Sequence, residues 1–243
     1  MKKYLSLTCA TIIAGMSVMG GVTTFAAEED SQASSATTDV KAVFIAPETQ
    51  NPNPVGPDGV KPTDPGYNDK NDNKNLDPQG NFGLAYVPKT FDFGTHELTE
   101  KGNFKAKKAT SFDVGVKDTT YGTTGWKVTA TLSELKNEKN EKLAGASLST
   151  TSDATVNVNK NAGGDVAFTP SDLTPVSNGE ATTSGNVSIN ASESPIMSGV
   201  TGKIHKSVYN LGLGDVTLNI PDMDSVSTGT YSGTVNWNLA VAE

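Results

Sequence analysis

The 243-residue chain contains no arginine. Its positive charge comes from 19 lysines set against 27 aspartates and glutamates, for a formal net charge of -8. A nucleic-acid footprint needs clustered cations, with arginine for bidentate contacts, so this composition argues against a nucleic-acid partner. One cysteine, Cys9, leaves no intrachain disulfide, no cysteine-based zinc site and no redox pair. Two histidines, His96 and His205, are too few for a histidine-rich metal site, and neither accompanies a G-x-S-x-G elbow. Beyond the N-terminus no apolar run approaches the roughly 20 residues that span a bilayer. The residues therefore imply no metal and no cofactor.

What is present begins with an export signal. Lys2 and Lys3 precede an apolar stretch at residues 4–22, and small residues Ala26 and Ala27 stand before Glu28. Residues 1–27 are expected to be removed on export. Cys9 lies too early in this stretch for lipid attachment. Removal takes two positive charges from a total of -8 and leaves a cysteine-free chain at -10. The C-terminal WNLAVAE lacks an LPxTG-type sorting signal, so any retention at a surface is expected to be non-covalent and to involve no membrane once the signal is gone.

Residues 28–39 (EEDSQASSATTD) have too little apolar surface to offset the entropy of ordering and are expected to be disordered. Residues 40–46 (VKAVFIA) read as an isolated strand, and pairing with the main domain would protect it from aggregation. Residues 47–80 carry NPNP, GPDG and PTDPG turns and the polar run NDKNDNKNLD, so an extended, solvated proline-, Asn- and Asp-rich loop is expected. From residue 81 onward short alternations separated by Gly, Asn, Asp and Pro point to an all-β fold of β-sandwich type, with residues 40–243 forming one domain. The clearest strands are residues 82–87, 111–116, 126–132, 155–158, 187–189, 216–220 and 231–241. A helical turn competes with an exposed loop at residues 132–143.

Alternation assigns the faces of these strands. Trp126, Val128, Ala130 and Leu132 share one face, opposite Lys127, Thr129 and Thr131. Tyr231, Gly233, Val235, Trp237, Leu239 and Val241 share another, opposite Asn236 and Asn238. The expected core adds Phe91, Phe93, Phe112, Val114, Val216, Leu218 and Ile220. Acid–base catalysis finds little support, because the tight pair Asp222 and Asp224 sits in IPDMDSVSTG, which reads as a turn. Asp69, Asn71 and Asn73 match the start of a calcium loop, but Lys74 and Gly80 occupy positions that need Gly and Glu. Lys101, Lys105, Lys107 and Lys108 read as a solvated face.

The informative feature is a pair of matching contexts, GWKVTATL at residues 125–132 and YSGTVNWNLAV at residues 231–241. They resemble the paired motifs of the WxL family, secreted surface proteins of Gram-positive bacteria. Tyr231, Trp237 and Leu239 fit the distal motif, with Val235 and Asn236 in place of the usual Leu and Thr, and Val128 replaces Leu in the proximal one. TFDFG at residues 90–94 and VTLNIP at residues 216–221 extend the likeness over residues 37–243. The resemblance implies a small, non-enzymatic cell-wall module that binds peptidoglycan, with Trp126, Val128, Tyr231, Trp237 and Leu239 as motif residues of the ligand site. It also implies association with other surface proteins. Two other readings stay open. The tryptophans serve equally well as core residues of any sandwich. The chain could also be an interaction subunit whose partner contacts the wall or host.

Overall fold

The computed structural model describes residues 37–45, 55–58, 72–76, 78, 80–161 and 167–242. The chain divides into two compact units, Met1–Phe44 and Ile45–Glu243. The expected export signal and most of residues 28–39 lie outside the described residues.

Among the described residues there is no α-helix, only strands and one 3-10 turn at Pro170–Asp172. In chain order the strands are β1 Asn73–Asn75, β2 Phe82–Pro88, β3 Asn103–Lys105, β4 Phe112–Asp118, β5 Trp126–Leu132, β6 Ser147–Thr151 and β7 Asn157–Asn159. They continue as β8 Leu173–Pro175, β9 Ala181–Thr183, β10 Asn186–Ile189, β11 Ser194–Gly199, β12 Ser207–Leu213, β13 Thr217–Asn219 and β14 Val235–Val241. These make three antiparallel sheets, ordered β1-β2-β4-β12-β7-β8, β10-β6-β13-β3 and β14-β5-β11-β9. The arrangement is sandwich-like, as the alternation implies.

A single large cluster fills the space between sheets. Phe112, Val114 and Val116 of β4 meet Trp126, Val128 and Ala130 of β5 and Tyr209 and Leu211 of β12, all fully buried. Phe91, Phe93, Val235, Trp237 and Leu239 pack against this cluster but are only partly buried. All seven residues of β4 are buried, including Asp113 and Lys117 on the face away from the cluster. That second face is covered by Ala85, Tyr86 and Phe168, and a Cβ on Gly115 would lie 2.4 Å from the Tyr86 ring. Glycine is required there by close approach.

Several expectations change. Part of the stretch read as a solvated loop folds onto the domain: β1 pairs with β2, and Val55 is buried. The reason is local polar bonding. Asp72 accepts the backbone N–H groups of Ala109 and Thr110, Asp58 accepts that of Asn73, and Asn75 accepts that of Gly56. The expected strand at residues 40–46 is not formed over its described part, where Val40, Val43, Phe44 and Ile45 are exposed. Residues 132–143 hold no helix. Lys136 bridges both Lys142 and Ser232, and Asn137 ties the tip by accepting the N–H groups of Lys139 and Glu141. The strand expected at residues 231–241 is regular only from Val235, with Ser232 making an isolated bridge.

Candidate functional site

The two motif strands are direct neighbours. β14 runs antiparallel to β5 with Val235 opposite Leu132, Trp237 opposite Ala130, Leu239 opposite Val128 and Val241 opposite Trp126. Residues directly opposite share a face, so the structure brings all the apolar motif residues of both strands to one side of the sheet. The sequence periodicity gives the same assignment.

Burial differs along this face. Trp126 is 1% exposed and Val128 fully buried. The Trp126 indole packs on Tyr209 at 5.6 Å and on His205 at 6.1 Å between ring centroids, and so joins β5 to the facing sheet. It also lies across the backbone of Gly199, its partner on β11, where a Cβ would stand 2.3 Å from its Nε1. That Nε1 is buried without a hydrogen-bond partner. Trp237 and Leu239 are half-buried, because β14 ends its sheet and has a neighbour on one side only. Tyr231 stands apart from β14: its hydroxyl donates to the Ser227 carbonyl at 3.2 Å and tethers the preceding turn.

Around Trp126 lies a buried polar group. Tyr209 donates its hydroxyl to Glu180 Oε2 at 3.1 Å, and its pKa is raised, first by burial and then by the Glu180 charge. His205, completely buried, sits with Nε2 3.3 Å from the Glu180 carbonyl, to which it donates. Its Nδ1 lies 3.3 Å from Asp118 Oδ2 but is poorly aligned for a hydrogen bond. On β4 a second network runs from Tyr86, whose hydroxyl donates to Asn210, through Asn210 to Asp113. Burial pushes the Asp113 carboxyl above its ordinary range, against hydrogen bonds from Ser111 and Asn210 that favour its charged form. None of Gly199, Tyr209, His205 or Glu180 stands in a recognisable sequence motif.

The opposite face of the motif sheet is polar. Asn236 and Asn238 lie opposite Thr131 and Thr129, Ala240 opposite Lys127, and Ser198 and Thr182 continue the Lys127 row onto β11 and β9. Asn236, Asn238, Lys127 and Thr182 are exposed. Thr129 is buried beneath Glu193, to whose carboxylate it donates at 2.7 Å. Amides, hydroxyls and one ammonium therefore share a shallow surface that can hydrogen-bond a polar polymer.

The remaining candidates resolve as structural features. Asp222 accepts the backbone N–H of Asp224, as in a turn. Lys105 and Lys108 pair with Asp215, and Lys107 with Asp92. His96 stacks on Phe104 at 4.0 Å and donates from Nε2 to the Phe93 carbonyl. Asn73 belongs to β1. Among the described residues no group of three His, Cys, Asp or Glu is placed to hold a metal ion, and no helix is long and apolar enough to cross a membrane.

An all-β chain whose two tryptophan strands pair side by side defines the class. Residues 31–242 match the model of the WxL domain, described as surface cell wall-binding, and the chain belongs to that family. No curated protein and no solved structure matches it. Family membership supports a cell-wall attachment role at the cell surface.

Proposed function

We propose that this protein is a non-enzymatic module that is exported by its N-terminal signal and binds peptidoglycan non-covalently through the motif sheet. The observation that carries this reading is the two-sided construction of that sheet. One side anchors into the core through Trp126 and Val128, and the other presents Asn236, Asn238, Lys127 and Thr182 to solvent. Glycan hydroxyls and stem-peptide amides are suited to such a surface, and paired antiparallel strands keep its groups at regular spacing. Of the five motif residues, Trp126 and Val128 act from inside by fixing the position of β5. Tyr231, Trp237 and Leu239 hold β14 and its approach, with half-buried side chains at the rim available to sugar faces.

Binding of this kind is short-range. A chain at -10 after signal removal gains no long-range attraction from anionic wall polymers, so salt should weaken attachment little. The test is retention on protein-free sacculi. Replacing both Asn236 and Asn238 by Ala should leave the thermal transition in place and lower retention at least several-fold. Undiminished retention by that folded variant would move the contact off this face. Elution by moderate salt alone would favour the lysines at Lys101, Lys105, Lys107 and Lys108.

A further inference from the structure

We infer that residues 40–45 of one copy add as an extra strand to the free edge of β14 in a second copy of this chain. The donor is an apolar, β-branched and aromatic segment, VKAVFI, that forms no strand, with Val40 92%, Phe44 94% and Ile45 87% exposed. Such a segment exposes on the order of 600 Å² of apolar surface, more than the few hundred that a soluble monomer leaves uncovered without purpose. It contains no proline and one charge, Lys41, which suits it to strand pairing.

The acceptor follows from the sheet edges. The three sheets have six edge strands, and five of them are short: β1, β3, β8 and β9 have three residues each and β10 has four. β14 has seven. Short edges are a common device against unwanted pairing, and β14 departs from it. Six residues of extended chain reach about 20 Å, so among these edges only β14 offers a partner of full length. No backbone hydrogen bond reaches β14 from its outer side among the described residues.

Side-chain phase also fits. With Lys41 kept on the polar face beside Asn236 and Asn238, the segment places Val40, Ala42 and Phe44 on the face that carries Val235, Trp237, Leu239 and Val241. Phe44 then covers apolar surface that β14, half-buried at Trp237 and with Val241 56% exposed, leaves open. Val40, Ala42 and Phe44 carry roughly half of that apolar surface, so one added strand and its acceptor bury on the order of 600 Å² together, and reciprocal exchange doubles this to about 1,200 Å², the lower end of what a specific interface needs. Main-chain pairing supplies the remaining affinity, as in other strand-addition complexes. The occupant is a second copy because this chain itself carries both a donor and an acceptor that match in length and in side-chain phase. Donor and acceptor are different surfaces, so the contact links copies head to tail or by reciprocal exchange. Asn236 and Asn238 stay exposed in either case, whereas the apolar rim at Trp237 and Leu239 is covered in the assembled form.

The test is sedimentation in free solution of the full-length gene product as recovered from expressing cells, over a wide range of concentration. The expected result is a mass of two or more chains, which Ala42→Pro reduces to one chain while leaving the thermal transition unchanged. Thr234 and Ala242 bond toward β5, so the outward N–H groups of β14 belong to Val235, Trp237, Leu239 and Val241. In an antiparallel addition Ala42, on the same face, is a ladder donor, and proline there removes it without touching the core. In a Cys9→Ser background, a chain carrying Val43→Cys is mixed with one carrying Asn238→Cys or Ala240→Cys, and a disulfide between the two chains is expected. A single-chain mass at all concentrations overturns the inference. So does an oligomer that Ala42→Pro leaves intact. A disulfide that forms only when both cysteines sit on one chain shows self-pairing and overturns it as well. No wall material is present, so failure here is separate from failure to bind sacculi.

Discussion

β5 and β14 carry nearly the same motif and hold it in different surroundings. Trp126 lies second from the edge, with β14 and β11 on either side and Tyr209 across the core, and is 1% exposed. Trp237 lies on the edge strand and is half-buried. The difference teaches that the motif fixes which way a side chain points, whereas the number of neighbouring strands fixes how much water it keeps. A tryptophan with a neighbour on every side contributes to stability, and one at an edge remains available to a ligand or a partner.

The largest expected effect breaks or confirms this contrast directly. Trp126→Ala should cost about 3 to 5 kcal/mol in denaturant unfolding, as for large buried aromatics, whereas Trp237→Ala should cost about half of that or less. Equal losses would mean that the edge position does not matter. Next is Gly199→Ala, whose new methyl would collide with the Trp126 indole. Overpacking of this kind costs about 1 to 3 kcal/mol, and pairing it with Trp126→Phe should recover part of the loss. An additive pair of losses would show that the indole does not rest on Gly199.

Charge repeats the comparison between interior and rim. Asp113, buried and linked to Tyr86 through Asn210, has its pKa raised above the ordinary 3.8, chiefly by desolvation. The folded state therefore holds its proton longer than the unfolded chain, so the contribution of this group to stability is largest below pH 3.8 and falls as pH rises through the folded value. Asp113→Asn should flatten that part of the stability–pH curve and match or exceed the parent at neutral pH. A curve left unchanged by this substitution would show that Asp113 is not strained by burial. Glu134, exposed in the loop after β5, shows the opposite sign: hydrogen bonds from Lys136 and then Lys142 lower its pKa to about 2. Its contribution is present above pH 4.5 and fades as pH falls toward 2, and salt should erase most of it. The smallest expected effect is that of Asn238→Ala alone, within about 0.5 kcal/mol of the parent in stability. A larger loss would mean that the polar face also holds the sheet together.

Legibility followed the pattern of burial. β5 was readable to the residue, because one buried face and one polar face give strict alternation. β12 was not readable, although it is the central partner of β4: SVYNLGL reads as a broken run with turn residues. Its Asn210 is buried only because Tyr86 and Asp113 satisfy it, and Gly212 is needed because Asp153 stands where a side chain would go. β11 was hidden by Pro195, which sits at a shift of register. For the site, the outward residues of both motif strands could be read from periodicity. The continuation of that face onto Ser198 and Thr182 could not, since β11 and β9 reach it through long-range pairing.

The sequence alone determined the all-β class, the two tryptophan strands and the direction of their side chains, because a period of two is a local property of extended backbone. It also determined the acidic, arginine-free surface. Only the tertiary structure decided that the two motifs pair directly, that Trp126 is sealed by Tyr209 and Gly199 while Trp237 is left at an edge, and that Asp113 is joined to Tyr86 through Asn210. Each of these depends on which distant strand arrives alongside, and strand order is set by the packing of the whole core and not by the pattern of any one segment.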